Sequence, residues 1–99
     1  MSIFETLSPA EKARQLGHPE GEVGLAVAEW LNGNNRVSNA RMIDSLNLSR
    51  GMRVLEIGPG NGRAAPHVVA SAEDVHYTGI DLSPTMVTEA DRFNADLVA

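Results

Sequence analysis

Apolar residues along the chain follow two rhythms. Up to Leu46 they recur at helical spacing, and from Met52 they come in short runs bounded by glycine. Ser8-Pro9-Ala10-Glu11 reads as a helix start: Ser8 can cap, Pro9 suits the first helical position, and Glu11 stands where a capping box needs it. This helix is expected to stop at Gly17. Val23, Ala26, Val27, Trp30 and Leu31 then mark a second helix from Glu20 to Leu31. Asn32-Gly33-Asn34 is expected to end it, because Gly and Asn tolerate the left-handed conformation that closes helices. Val37, Ala40, Ile43 and Leu46 predict a third helix over 37–46.

Met52-Arg53-Val54-Leu55-Glu56-Ile57 is a different kind of segment, a short apolar run bounded by glycine, as in a buried strand of a parallel sheet. Gly58-Pro59-Gly60-Asn61-Gly62 is a tight loop. A helix is expected from Arg63 to Ser71, with Pro66 tolerated in the first turn, where N–H groups lack partners anyway. Val75 to Ile80 is rich in β-branched and aromatic residues and predicts a second strand. Ser83 and Pro84 open a last helix as cap and first residue. Its apolar stripe is Met86, Ala90, Phe93 and Leu97. Helices followed by strand-helix-strand-helix make an α/β fold with parallel strands. Two such strands alone do not make a stable sheet, so the fold reads as unfinished.

Composition narrows the function classes. The 99 residues are 42% hydrophobic and 21% charged, as in a globular chain, and one domain or a piece of one is expected. Net charge is −5 with no Lys/Arg cluster, which argues against nucleic acid and against a membrane surface. Cysteine is absent, which removes disulfides, thiolate zinc sites and Cys nucleophiles. His18, His67 and His76 share no metal-ligand spacing, so no metal site is expected. No secretory leader or spanning stretch is apparent, and a cytoplasmic location is the default expectation.

Candidate chemistry collects at the carboxyl ends of the two strands, where open parallel sheets bind ligands. Glycines in the loop let backbone approach a ligand where a Cβ would collide. Asp81, just past the second strand and about twenty residues beyond the loop, can accept both hydroxyls of a ribose. A glycine loop with a spaced acid points to an adenosine-containing cofactor. Gly60-Asn61-Gly62-Arg63-Ala64-Ala65 also satisfies the dinucleotide pattern G-x-G-x-x-G/A.

Val54 to Gly62 resembles the first motif of class I S-adenosylmethionine-dependent methyltransferases: two apolar residues, an acid, an apolar residue and G-x-G-x-G. Gly79-Ile80-Asp81-Leu82-Ser83-Pro84-Thr85-Met86 is similar to the second motif, with the ribose acid, a capping Ser and a Met on the next helix. Order and separation match, particularly for the type 11 group. The resemblance covers roughly residues 30 to 99. It implies a truncated Rossmann-like methyltransferase fold: a helical extension over 1–34 and the first half of an S-adenosylmethionine-binding domain over 35–99. It further implies that Glu56 lies near the methionine amino group and that Gly58, Pro59, Gly60, Asn61 and Gly62 pack beside the ligand. The following helix N-terminus would favour the methionine carboxylate. Asp81 would bind the ribose, Leu82 would lie against the adenine, and Met86 would pack the loop from behind or reach the adenine edge. Asn35 and Arg36 precede the expected third helix, where relatives approach the carboxylate end.

The cofactor implied is S-adenosyl-L-methionine, and the partner a small-molecule acceptor. No catalytic residue is named, because methyl transfer is largely positioning of donor and acceptor. Two other readings stand beside this one. A dinucleotide-binding oxidoreductase domain is disfavoured by Glu56, because such folds keep that strand end apolar. A non-catalytic remnant or interaction module is the other. The 99-residue chain on its own is not expected to be an active methyltransferase, and it is expected to be partly ordered or self-associated through an open strand edge.

Overall fold

The structure, a computed structural model, describes residues 3–98. Met1, Ser2 and Ala99, at the outer ends of the expected units 1–34 and 35–99, lie outside the described residues. After a 3-10 turn over Ile3–Thr6 come α1 (Pro9–Gly17), α2 (Gly21–Ser45), β1 (Arg53–Ile57), α3 (Ala65–Ala70), β2 (His76–Ile80) and α4 (Pro84–Phe93). β1 and β2 pair in parallel, from Arg53 opposite His76 to Ile57 opposite Ile80. The element order and the parallel pairing are those expected of part of a Rossmann-like α/β fold.

α1 and α4 start at their capping serines. Ser8 accepts from Glu11 N at 3.2 Å, and Ser83 accepts from Met86 N at 3.2 Å, with a proline following each cap. The Glu11 carboxylate faces Arg14, at 2.6 and 3.0 Å, and Gln15. Those guanidinium bonds hold its carboxyl below the ordinary range.

The expected break at Asn32-Gly33-Asn34 does not occur. α2 runs unbroken for 25 residues through that triplet and across position 34/35. Gly33 is not among the residues with positive φ. Asn34 Nδ2 bonds back to Trp30 O at 2.8 Å, within the helix, and Asn32 Nδ2 reaches Asn61 at 2.7 Å. A helical glycine costs about 1 kcal/mol relative to alanine. Tertiary packing outweighs that: Val27 and Ala28 before the triplet and Ile43 after it are buried. Gly24 also needs its small size here, since a Cβ would lie 2.7 Å from Pro19 C.

Two other boundaries differ from the sequence reading by more than one residue. α3 begins at Ala65, not Arg63, and has only six residues, because the glycine loop continues to that point. α4 ends at Phe93, leaving Leu97 outside the helix and 48% exposed. Asn94 accounts for this, since its Nδ2 donates to Ala90 O and to Gly62 O, both at 3.0 Å, and so diverts the chain.

Burial alternates along β1, while β2 is exposed except at Tyr77. Val54, Glu56 and Tyr77 are half-buried, whereas Leu55, Ile57 and Ile80 are 59%, 78% and 51% exposed. β1 is therefore not buried on both faces as its apolar run suggested. No described element covers the second face. Among described residues, no helix is long and apolar enough to cross a membrane.

Gly33→Ala discriminates a continuous α2 from a broken one. A Cβ at Gly33 meets nothing within 4 Å, so the substitution should stabilise the protein by about 0.5–1 kcal/mol in urea melts. A loss of stability would mean that Gly33 closes a helix.

Candidate functional site

The loop between β1 and α3 turns on three glycines with positive φ: Gly58 at 73°, Gly60 at 59° and Gly62 at 77°. Only glycine adopts such angles without strain. Their surroundings differ. A Cβ on Gly58 or Gly60 would meet nothing within 4 Å, whereas one on Gly62 would lie 2.7 Å from Ala90 Cβ and 2.7 Å from Asn94 Nδ2. Gly58 and Gly60 leave space for a ligand. Gly62 serves close packing against α4, and the structure does not place it in the cavity.

Asp81 ties the two strand ends together. Its Oδ2 accepts from Gly60 N and its Oδ1 from Ser83 N, both at 2.9 Å. Gly58 N bonds Ile80 O at 2.8 Å, closing the same junction from the other side. A carboxylate offers roughly four lone-pair directions, so each oxygen keeps capacity for another donor.

Asn61 fixes the loop to α2. It is 2% exposed, its Nδ2 donates to Glu29 Oε1 at 2.9 Å, and its Oδ1 accepts from Asn32 Nδ2 at 2.7 Å. Arg63 extends the link toward α4. It reaches Glu29 at 2.9 Å, Glu89 at 3.4 Å and Asn61 O at 3.2 Å, and lies 3.8 Å over the Phe93 ring. Arg92 and Arg63 hold the Glu89 carboxyl below the ordinary range.

The segment joining α1 to α2 lies against the start of α4. His18 Nε2 meets Leu82 O at 3.2 Å, Ser83 Oγ donates to Pro19 O, and Gly21 N donates to Thr85 Oγ1 at 3.3 Å. Leu16, Gly17 and Pro19 thereby become one wall of a cavity at the carboxyl ends of both strands.

That cavity has a volume of about 540 Å³, within the roughly 300–1,000 Å³ usual for ligand clefts. Glu56, Gly58, Pro59, Gly60, Asn61, Asp81, Leu82 and Met86 line it, so eight of the nine candidate residues converge and Gly62 alone does not. Met86 is fully buried, while Leu82 is 87% exposed. Glu56 and Asp81 are the only charged residues in the lining. A larger hollow of about 780 Å³ lies along β1, β2, α3 and α4. It shares Pro59, Gly60 and Asp81 with the smaller cavity and mixes aliphatic side chains with Arg53, His76 and Asp91; Glu56 and the α2 asparagines line only the smaller one, which favours it as the site.

Sequence reasoning missed Asn32, Asn39, Tyr77 and the wall formed by Leu16, Gly17 and Pro19. Asn32, Asn35 and Asn39 line the cavity from one face of α2, at i, i+3 and i+7. That row is visible only once α2 is read through Gly33. Asn35 does reach the cavity, from mid-helix, while Arg36 is not part of the lining. The sequence marks Tyr77 only as a strand former, yet its hydroxyl donates to Glu56 Oε1 at 2.6 Å. Of the histidines, His67 pairs with Asp44 at 2.8 Å on a different surface.

No protein-family model matches the chain, and no solved structure matches it. A 58-residue stretch covering 59% of the chain is 36% identical to an uncharacterized methyltransferase, YdaC, of Bacillus subtilis (strain 168). That stretch covers 32% of the Bacillus protein, so the chain spans about a third of the length of the curated relative it matches.

Substituting Gly62 should affect folding more than ligand binding. Gly62→Ala combines a positive φ with contacts near 2.7 Å, and a loss of about 1–3 kcal/mol in urea denaturation is expected. Gly17→Ala, where a Cβ meets nothing within 4 Å, is the control and should change stability little. Equal stability of the two variants would remove the close packing of the loop on α4.

Proposed function

We propose that the chain is the cofactor-binding portion of an S-adenosylmethionine-dependent methyltransferase acting on a small-molecule acceptor. The observation that carries this reading is the cavity lining: two carboxylates, Glu56 and Asp81, at the two strand ends, with no lysine or arginine among the other residues. Such a lining favours a ligand bearing cationic groups and hydroxyls and opposes one bearing a pyrophosphate. The similarity to a protein described as a methyltransferase supports the same class.

The residues present fit the ligand. Glu56 accepts a bond from Tyr77, and among the described residues no cationic side chain pairs with it, so the carboxylate is available to the ligand's ammonium and sulfonium end. Asp81 would receive the ribose hydroxyls. Its two backbone bonds hold the carboxylate in one orientation before the ligand arrives, which lowers the ordering cost of binding. Gly58 and Gly60 leave room beside the loop, and exposed Leu82 offers an apolar surface to the adenine. Asn35 and Asn39 supply neutral donors and acceptors along α2.

When bound, S-adenosylmethionine supplies an electrophilic methyl group. The chain's own contribution is to bind and orient, and none of its described residues is assigned as a base. A dinucleotide reading rests on the G-x-G-x-x-A pattern. It also needs phosphate oxygens beside a helix start, but α3 is only six residues long and the cavity's charges are both negative. Residues 35–99 as the first half of the binding domain, with 1–34 as an extension, belong to this proposal, as do the absence of nucleic-acid and membrane partners and a cytoplasmic location.

Asp81→Ala should weaken S-adenosylmethionine binding by about 2–3 kcal/mol, through loss of charge-assisted hydrogen bonds and of the loop anchor. Asp74→Asn should leave it unchanged, because Asp74 ion-pairs with Arg50 away from the cavity, and Asn tolerates its φ of 56°. Calorimetric titration of both variants checks this. Indistinguishable affinities would take Asp81 out of the site.

A further inference from the structure

We infer that Tyr77 is a positioning residue that sets the site's selectivity for a ligand ammonium group by fixing the Glu56 carboxylate; the inference rests on the proposed ligand class. Tyr77 lies on β2 opposite Val54, and Glu56 lies on β1 opposite Gly79. The two are therefore diagonal neighbours on one face of the sheet. The phenol reaches across Gly79, and its hydroxyl donates to Glu56 Oε1 at 2.6 Å. Gly79 permits that path, since a Cβ there would lie 2.9 Å from the Tyr77 hydroxyl and 2.9 Å from Pro59 Cγ.

This contact decides what Glu56 offers. The carboxylate is half-buried and lines the cavity, and no described cation pairs with it. With Oε1 held by the phenol, the rotation of the carboxylate is restricted and Oε2 keeps its acceptor capacity. A free carboxylate would lose side-chain entropy on meeting a cationic ligand, and this one has lost part of it already. The phenol has no competing role as an acid at neutral pH. Burial first, then the hydrogen bond to Glu56 and its charge, push the Tyr77 pKa upward, so the hydroxyl remains a donor.

Three features separate positioning from simple packing. The hydroxyl, not the ring, makes the contact; the effect must pass through Glu56; and it must register only on ligands with an ammonium group. The test titrates wild type, Tyr77→Phe, Glu56→Gln and the double variant with S-adenosylhomocysteine. The same four are titrated with an analogue whose α-amino group is replaced by hydrogen. Tyr77→Phe is expected to weaken S-adenosylhomocysteine binding about tenfold, in line with loss of a hydrogen bond to a charged group, and to change the deamino analogue less than about twofold. On the Glu56→Gln background, Tyr77→Phe is expected to add little. Equal weakening for both ligands, an undiminished effect in the double variant, or no effect at all would overturn the inference while leaving the ligand class intact. Failure of the wild type to bind either compound would overturn the ligand class, and the inference with it.

Discussion

Asn61 is buried in a loop that must hold its shape although three of its residues are glycines, which are costly to order. Its bonds to Ile80, Asp81 and Asn94 tie it to the end of β2 and the end of α4 and leave the side toward α2 to be held. The Asn61 amide supplies the other side, donating to Glu29 and accepting from Asn32 on consecutive turns of α2. Every polar atom of that amide that the loop presents to α2 is satisfied. A buried network satisfied in this way fixes one arrangement, whereas a half-satisfied one is destabilising. Arg63 continues the same link into α4 through Glu29, Glu89 and the face of Phe93.

The cavity depends on that anchorage. α2 forms its wall because Asn32 is pinned to the loop, and the α1–α2 junction forms its edge because Pro19 and Gly21 are bonded to the start of α4. Between them stand Glu56 and Asp81, whose strand-end positions follow from the parallel register of β1 and β2. Asp81 is held by two backbone N–H groups and Glu56 by a phenol, so both carboxylates are oriented by the protein itself. Their shared sign is what gives the site a chemical preference.

Features written in local sequence were readable from it. Ser8-Pro9 and Ser83-Pro84 announced helix starts because a cap and its proline act within one turn. Met52–Ile57 announced a strand as a short apolar run between glycines, and Val75–Ile80 did so by its β-branched and aromatic residues. Glu56, the loop and Asp81 formed a pattern whose convergence needed only parallel strands. What escaped depended on tertiary contact. Gly33 carries a local stop signal that packing on either side overrides, and with it went the asparagine row on α2. Tyr77 has no local sign of its partner, since the reach to Glu56 depends on register and on the bare Cα of Gly79. Gly62 matched a ligand-binding motif, yet its neighbours are Ala90 and Asn94.

The central claim is that two oriented carboxylates at the strand ends make a site for a cationic adenosyl ligand. Calorimetric titration of the protein with S-adenosylmethionine and, separately, with NADH tests it most directly. The expected result is saturable one-to-one binding of S-adenosylmethionine, lost in Glu56→Gln/Asp81→Ala, with no heat from NADH beyond dilution. Tighter binding of NADH, or S-adenosylmethionine binding that survives loss of both carboxylates, would contradict the account.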